Sequence, residues 1–133
     1  TGEKILAEVM ATNFTGAFSL TRHLWPFLRR RGGCVINVSS KATIDPFPGL
    51  SAYAAAKAAL EGWTRVLAVE GEPHDIRAYA VAPGGVETKM FRDLPDVADV
   101  PSEKLLTPAD VATTILDCLD GKHPTGDVVR IER

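Results

Sequence analysis

Tyr53 and Lys57 stand four residues apart in the run Ser51-Ala-Tyr-Ala-Ala-Ala-Lys57. On a 3.6-residue helix that spacing puts both on one face, about 6 Å apart along the axis, so an ammonium can lie near a phenol. An unperturbed phenol titrates near ~10 and shuttles protons poorly at neutral pH; a neighbouring positive charge favours the phenolate. Such a pair can exchange a proton with an alcohol or carbonyl oxygen, acting as general base or acid. The same spacing fits an amphipathic helix with a core tyrosine and a solvated lysine, so the surroundings must decide. Ser39-Ser40 follows one β-branched run, and Pro83-Gly-Gly-Val-Glu-Thr88 closes another. If both runs are strands of one parallel sheet, both motifs lie at carboxyl ends, where ligand crevices of open α/β sheets form. A substrate oxygen between Ser40 and Tyr53 would accept two hydrogen bonds.

The elements that must position these residues follow from periodicity. Ile5, Leu6, Val9, Met10, Phe14, Ala17, Phe18 and Leu24 recur at three- and four-residue spacing, which predicts helix over residues 3–31. Pro26 is expected to bend or loosen it, Arg29-Arg30-Arg31 suits a helix C-terminus, and Gly32-Gly33 stops it. Cys34–Val38 reads as a buried strand. Ala52–Glu70 reads as a helix capped by Ser51 and ended by Gly71 and Pro73. Ile76–Val81 is a second strand, and residues 87–106 are a long loop with room for a short helical turn. Thr107-Pro108-Ala109-Asp110 starts a helix whose apolar face is Val111, Ile115, Leu116 and Leu119, and Gly121 ends it. Asp127–Ile131 is a last strand. The order helix, strand, helix, strand, helix, strand predicts an α/β fold: a parallel, doubly wound sheet with helices on both faces. Three strands make a narrow sheet, so these read as part of a larger one.

Composition sets the outer limits. The chain has 133 residues, enough for about one domain, with 45% hydrophobic and 24% charged residues. A net charge of −2 lacks the electrostatic footprint of a nucleic-acid binder. No apolar run reaches the ~18–20 residues that span a bilayer, and Thr1–Glu8 lacks the basic-then-apolar pattern of a leader, so a cytoplasmic protein without a membrane partner is expected. Cys34 and Cys118 lack metal-ligand spacing and read as reduced, buried thiols; His23, His74 and His123 read as surface residues. No metal site is expected.

The chain resembles the short-chain dehydrogenase/reductase family. The resemblance is carried by Asn13 in Thr12-Asn-Phe-Thr-Gly-Ala-Phe18, Ile36-Asn-Val-Ser-Ser40, Tyr53-Ala-Ala-Ala-Lys57, Val81-Ala-Pro-Gly-Gly-Val-Glu-Thr88 and Thr125-Gly-Asp-Val-Val129. Ser40 stands thirteen residues before Tyr53, the family's usual interval, which favours it over Ser39. The resemblance implies Tyr53 as catalytic acid/base, Lys57 to lower its pKa and hold the nicotinamide ribose, and Ser40 to polarise the substrate oxygen. It further implies that Asn13 holds a water in the proton relay, and that Pro83, Gly84, Val86 and Thr88 contact the nicotinamide end of NAD or NADP. Local helix or turn bonding is the competing account of Asn13 and Thr88.

The pattern also departs from the family. No G-x-G-x-x-G turn for the pyrophosphate is present, nor the acidic or basic residue that selects NAD or NADP. The resemblance therefore covers roughly the second half of the family's domain, with the dinucleotide-binding first half absent, and residues 1–133 are expected to be a single partial domain. The implied activity is interconversion of a carbonyl and a secondary alcohol, with weak dinucleotide affinity and inactivity expected of this stretch alone. A catalytically silent dimerisation or scaffold module, or a sugar-nucleotide epimerase or dehydratase of the wider superfamily, is the alternative. The helices of residues 3–31 and 51–71 are the implied homo-oligomer contact.

Overall fold

The computed structural model describes residues 2–133; Thr1 lies outside the described residues. Three parallel strands form one sheet: β1 (Gly33–Val38), β2 (Ile76–Pro83) and β3 (Val128–Ile131), in the order β1-β2-β3. Gly33 lies opposite Ile76 and Val38 opposite Val81, while Ala80 through Pro83 face Val128 through Ile131. The α/β reading of the sequence therefore holds. Each predicted strand is present, with ends shifted by one or two residues.

Side-chain alternation along β2 decides what each face carries. Tyr79 and Val81 point one way, into a cluster with Cys118 and Val129 that Cys34, Ile36, Val111, Ile115 and Ile131 extend. Ala78 points the other way, against Leu67 and Ala68, with Trp25, Val35 and Trp63 packed around it. By the same alternation Ala80 and Ala82 share that face, and all three alanines are fully buried. Large residues on one side and alanines on the other let a long helix approach the sheet closely. That helix is α3 (Ser51–Gly71), which carries Tyr53 and Lys57.

The first helical stretch is α1 (Glu3–Met10), a π-helical turn over Ala11–Thr15, and α2 (Gly16–Arg31). The irregularity falls at the π turn around Asn13, whereas Pro26 sits inside α2 and the helix runs on for five more residues. Gly32, at φ 72°, ends it by adopting a backbone conformation that side chains resist. Ser51 is the first helical residue of α3, not its cap: Leu50 occupies that position without a side-chain cap bond. The loop 87–106 contains a short helix, α4 (Lys89–Arg92), and a 3₁₀ turn over Ser102–Lys104.

The final helix, α5 (Pro108–Leu119), starts as its sequence predicts and buries a different stripe. Val111, Thr114, Ile115 and Cys118 follow i, i+3, i+4, i+7 spacing and face the sheet, while Leu116 and Leu119 are about half exposed, 56% and 50%. Small threonine and cysteine side chains fill the close approach that hydropathy assigned to leucine. Its N-terminus is a reciprocal cap: Thr107 N donates to Asp110 at 2.7 Å and Asp110 N to Thr107 Oγ1 at 3.1 Å. The bonds from Thr107 hold the Asp110 carboxyl below the ordinary aspartate pKa. A depressed folded pKa contributes stability above the unfolded value, and that contribution is lost as pH falls through the folded value. Asp110→Asn is therefore expected to lower the urea midpoint at about pH 6, with the gap to the parent narrowing as pH falls below the ordinary aspartate value of about 3.9 and through the folded one.

Candidate active site

Tyr53 and Lys57 lie in the first two turns of α3, where the run of alanines lets the helix sit against the end of β1. Lys57 Nζ donates to the carbonyl of Val38 at 2.8 Å and stands 5.5 Å from the centroid of the Tyr53 ring. Burial pushes the Lys57 pKa below the ordinary lysine value, so its charge is held there against a desolvation cost. The Tyr53 phenol makes no hydrogen bond to any described residue and lines a cavity of about 760 Å³.

Ser40 lines the same cavity. It caps the 3₁₀ turn Lys41–Thr43, its Oγ accepting from Ala42 N at 3.1 Å, which leaves the hydroxyl proton to donate elsewhere. Ser39 behaves differently. It is buried, and its Oγ donates to Glu61 at 2.6 Å. Both serines border the cavity, but Ser39 is buried with its hydroxyl proton committed to Glu61, whereas the Ser40 proton is uncommitted.

The opposite wall comes from the end of β2. Pro83, Gly84, Val86 and Thr88 all line the cavity. Gly84 N donates to Ile131 O at 2.8 Å, and Glu87 N to Leu106 O at 2.8 Å, so the loop is tied to its neighbours. Thr88 Oγ1 accepts from Phe91 N at 3.2 Å as the cap of α4 and contacts Val86 O at 3.3 Å, so its hydroxyl serves the turn. Asn13 is not brought into this cavity. It lines an adjoining one of about 440 Å³ between α2 and β1 that shares Val38 and Lys57 with the first, and its Nδ2 donates to Val9 O at 3.0 Å. A π turn at that position commonly marks a functional segment of a helix.

A family model for short chain dehydrogenases matches residues 1–98. The chain belongs to the short-chain dehydrogenase family. Its relatives include a 3-oxoacyl-(acyl-carrier-protein) reductase of Thermotoga maritima, 35% identical over 133 aligned positions, 93% of this chain and 54% of that one. An acetoacetyl-CoA reductase of Rhizobium meliloti is 36% identical, over 82% of this chain and 48% of its own. Among solved structures, a 3-oxoacyl-(acyl-carrier-protein) reductase with bound NAD from Brucella melitensis superposes with a TM-score of 0.85 at 32% identity, covering 98% of this chain and 52% of that one. The chain spans about half the length of the curated relatives it matches.

The donor set suits one end of a dinucleotide. A phenol, an ammonium and a short loop converge at the carboxyl ends of two parallel strands, which fits a nicotinamide and its ribose. Behind this wall, Glu61 and Arg130 had no sequence-based role; they are ion-paired at 2.9 Å. The available signal was phase, because residues 53, 57 and 61 follow in i+4 steps on one helix face. No helix of the described residues is long and apolar enough to cross a membrane.

Proposed function

We propose that this site interconverts a carbonyl and a secondary alcohol, with Ser40, Tyr53 and Lys57 as its reacting and orienting groups. The observation that supports this most is their convergence on one cavity opposite the loop from Pro83 to Thr88. Lys57 and Tyr53, with Pro83, Gly84, Val86 and Thr88, would hold the nicotinamide end of NAD or NADP, which supplies the hydride when bound. Ser40 donates its hydroxyl proton to the substrate oxygen and fixes it beside Tyr53. The phenol then gives a proton to that oxygen in reduction, or takes one from it in oxidation. The Lys57 ammonium, held by Val38 O, stabilises the phenolate. Asn13, from the adjoining cavity, would hold a water toward Lys57.

The remaining cavity wall carries an apolar stretch of Phe47, Leu50, Met90, Phe91, Leu94 and Leu105 beside the charged Lys41, Asp45, Lys104, Glu132 and Arg133. Together with the relatives named as 3-oxoacyl and acetoacetyl-CoA reductases, this favours a ketone on an apolar acyl chain. Loss of nicotinamide absorbance with acetoacetyl-CoA and saturating NADH or NADPH, measured with these residues joined to a dinucleotide-binding half, tests the reading; no turnover of any apolar ketone there would count against it. Because the sequence holds no glycine-rich pyrophosphate turn, these residues by themselves are expected to bind either dinucleotide weakly. Fluorescence titration of NADH measures that affinity.

The same reading makes the protein a homo-oligomer through α1–α2 and α3. Ile5, Leu6 and Phe18 on the first stretch and Val66 and Val69 on α3 are large apolar residues left 40–71% exposed. Val69→Glu is expected to shift the sedimentation coefficient toward the monomer while leaving the circular dichroism spectrum unchanged.

A further inference from the structure

Glu61 is the only charged residue buried among the described residues, at 5% exposure. Its carboxylate accepts from Ser39 Oγ at 2.6 Å and from Thr43 Oγ1 at 2.8 Å, and Arg130 of β3 donates to it at 2.9 and 3.4 Å. These two hydroxyls flank Ser40 in the chain. Thr43 Oγ1 is also 3.0 Å from the Ser40 carbonyl and accepts from Arg130 at 3.1 Å. Ser39 Oγ also lies 3.3 Å from the carbonyl of Lys57, which places the end of β1 beside the helical turn bearing the lysine, its one proton going to Glu61. Every one of these bonds crosses from one element to another or spans the Ser40 turn.

Desolvating a carboxylate costs several kcal/mol, and an apolar pair of the same volume is often as stable as a buried ion pair. Stability is therefore a poor account of why a charge sits here; geometry is a better one. The other side-chain ties on the turn are either local or at the surface. Ala42 N and Thr43 N bond back to Ser40, and Lys41 pairs with Glu132 and Asp45 at the surface, where ion pairs contribute little.

We infer that Glu61, ion-paired with Arg130, is a positioning residue that clamps the chain on both sides of Ser40 and so sets where the serine hydroxyl lies relative to Tyr53 and Lys57. The inference rests on Ser40 and Tyr53 acting together on the substrate oxygen. A displacement of about 1 Å at a reacting group can cost up to ~10²-fold in rate, so a loosened turn is felt in kcat before it is felt in cofactor binding.

Two variants test it. Glu61→Gln keeps the shape and removes the charge, and Thr43→Val removes a single hydroxyl on a half-buried turn without changing its size. In each, hydrogen exchange at the amides of Ser39, Ala42 and Thr43 is expected to quicken about tenfold, with β2 and α3 still protected. The kcat for ketone reduction is expected to fall about tenfold, while the KM for the dinucleotide stays within about twofold. Thr43→Ser restores both. Unchanged exchange at those amides overturns the inference, and so does faster exchange with an unchanged kcat. If Glu61→Gln loses protection throughout, Thr43→Val alone decides. Full turnover in Tyr53→Phe would instead sink the Ser40–Tyr53 reading, an outcome that the exchange measurements leave separate from the clamp.

Discussion

Tyr53→Phe is expected to lower kcat for ketone reduction by about 10²–10⁴-fold, the contribution typical of a positioned general acid. The substitution removes one oxygen. That oxygen makes no hydrogen bond to any described residue, so no buried partner is orphaned and the fold should be indifferent to its loss. The ring, and with it the contact to the Lys57 ammonium 5.5 Å away, is retained. Circular dichroism and the urea midpoint should match the parent. A fall in kcat with no fall in stability separates a reacting phenol from a packing one. If the variant turned over normally, the site would have to use a different acid, and among the described residues no other phenol lines the cavity.

The second large effect is on stability. Arg130→Met leaves Glu61 buried without its cation, and breaking a buried pair from one side costs about 3–5 kcal/mol; Arg130 is a third exposed, which places the expectation near the lower end, at about 3 kcal/mol. At pH 7 the urea midpoint should fall accordingly. Adding Glu61→Met should recover most of that loss, because the apolar pair has no charge to desolvate. The double variant would then be stable and slow if the clamp positions Ser40. Stability that fails to recover in the double variant would show that the ion pair stabilises the fold outright.

Much of the fold was legible because hydrophobic period is a local property. The β-branched runs around Val35 and Ala78, the alanine-rich α3, and the Thr107–Asp110 cap each read correctly from a window of a few residues. The misreadings came from neighbours distant in sequence. Leu116 and Leu119 belong to the helix yet face outward, because the stripe that meets the sheet is set by Val111, Thr114, Ile115 and Cys118, and the two leucines lie out of phase with it. The distortion of the first helix falls at Ala11–Thr15, away from Pro26, the residue whose chemistry predicts one.

The candidate site divides along the same line. Residue identity and spacing alone determined that a phenol and an ammonium share a helix face, that a serine doublet ends a strand, and that a Pro-Gly loop ends the next. The tertiary structure decided which serine of the doublet keeps its hydroxyl proton for the cavity, since Ser39 donates to Glu61 while Ser40 only accepts, from a backbone amide. It also decided that Thr88 spends its hydroxyl on capping α4, that Asn13 borders Lys57 from a neighbouring cavity, and that Glu61 and Arg130 meet beneath the serine turn. Those partners lie up to 69 residues apart in the chain. Spacing within one helix or strand follows from backbone geometry, whereas a contact across such a separation exists only once the sheet has set its register and the helices have packed onto it.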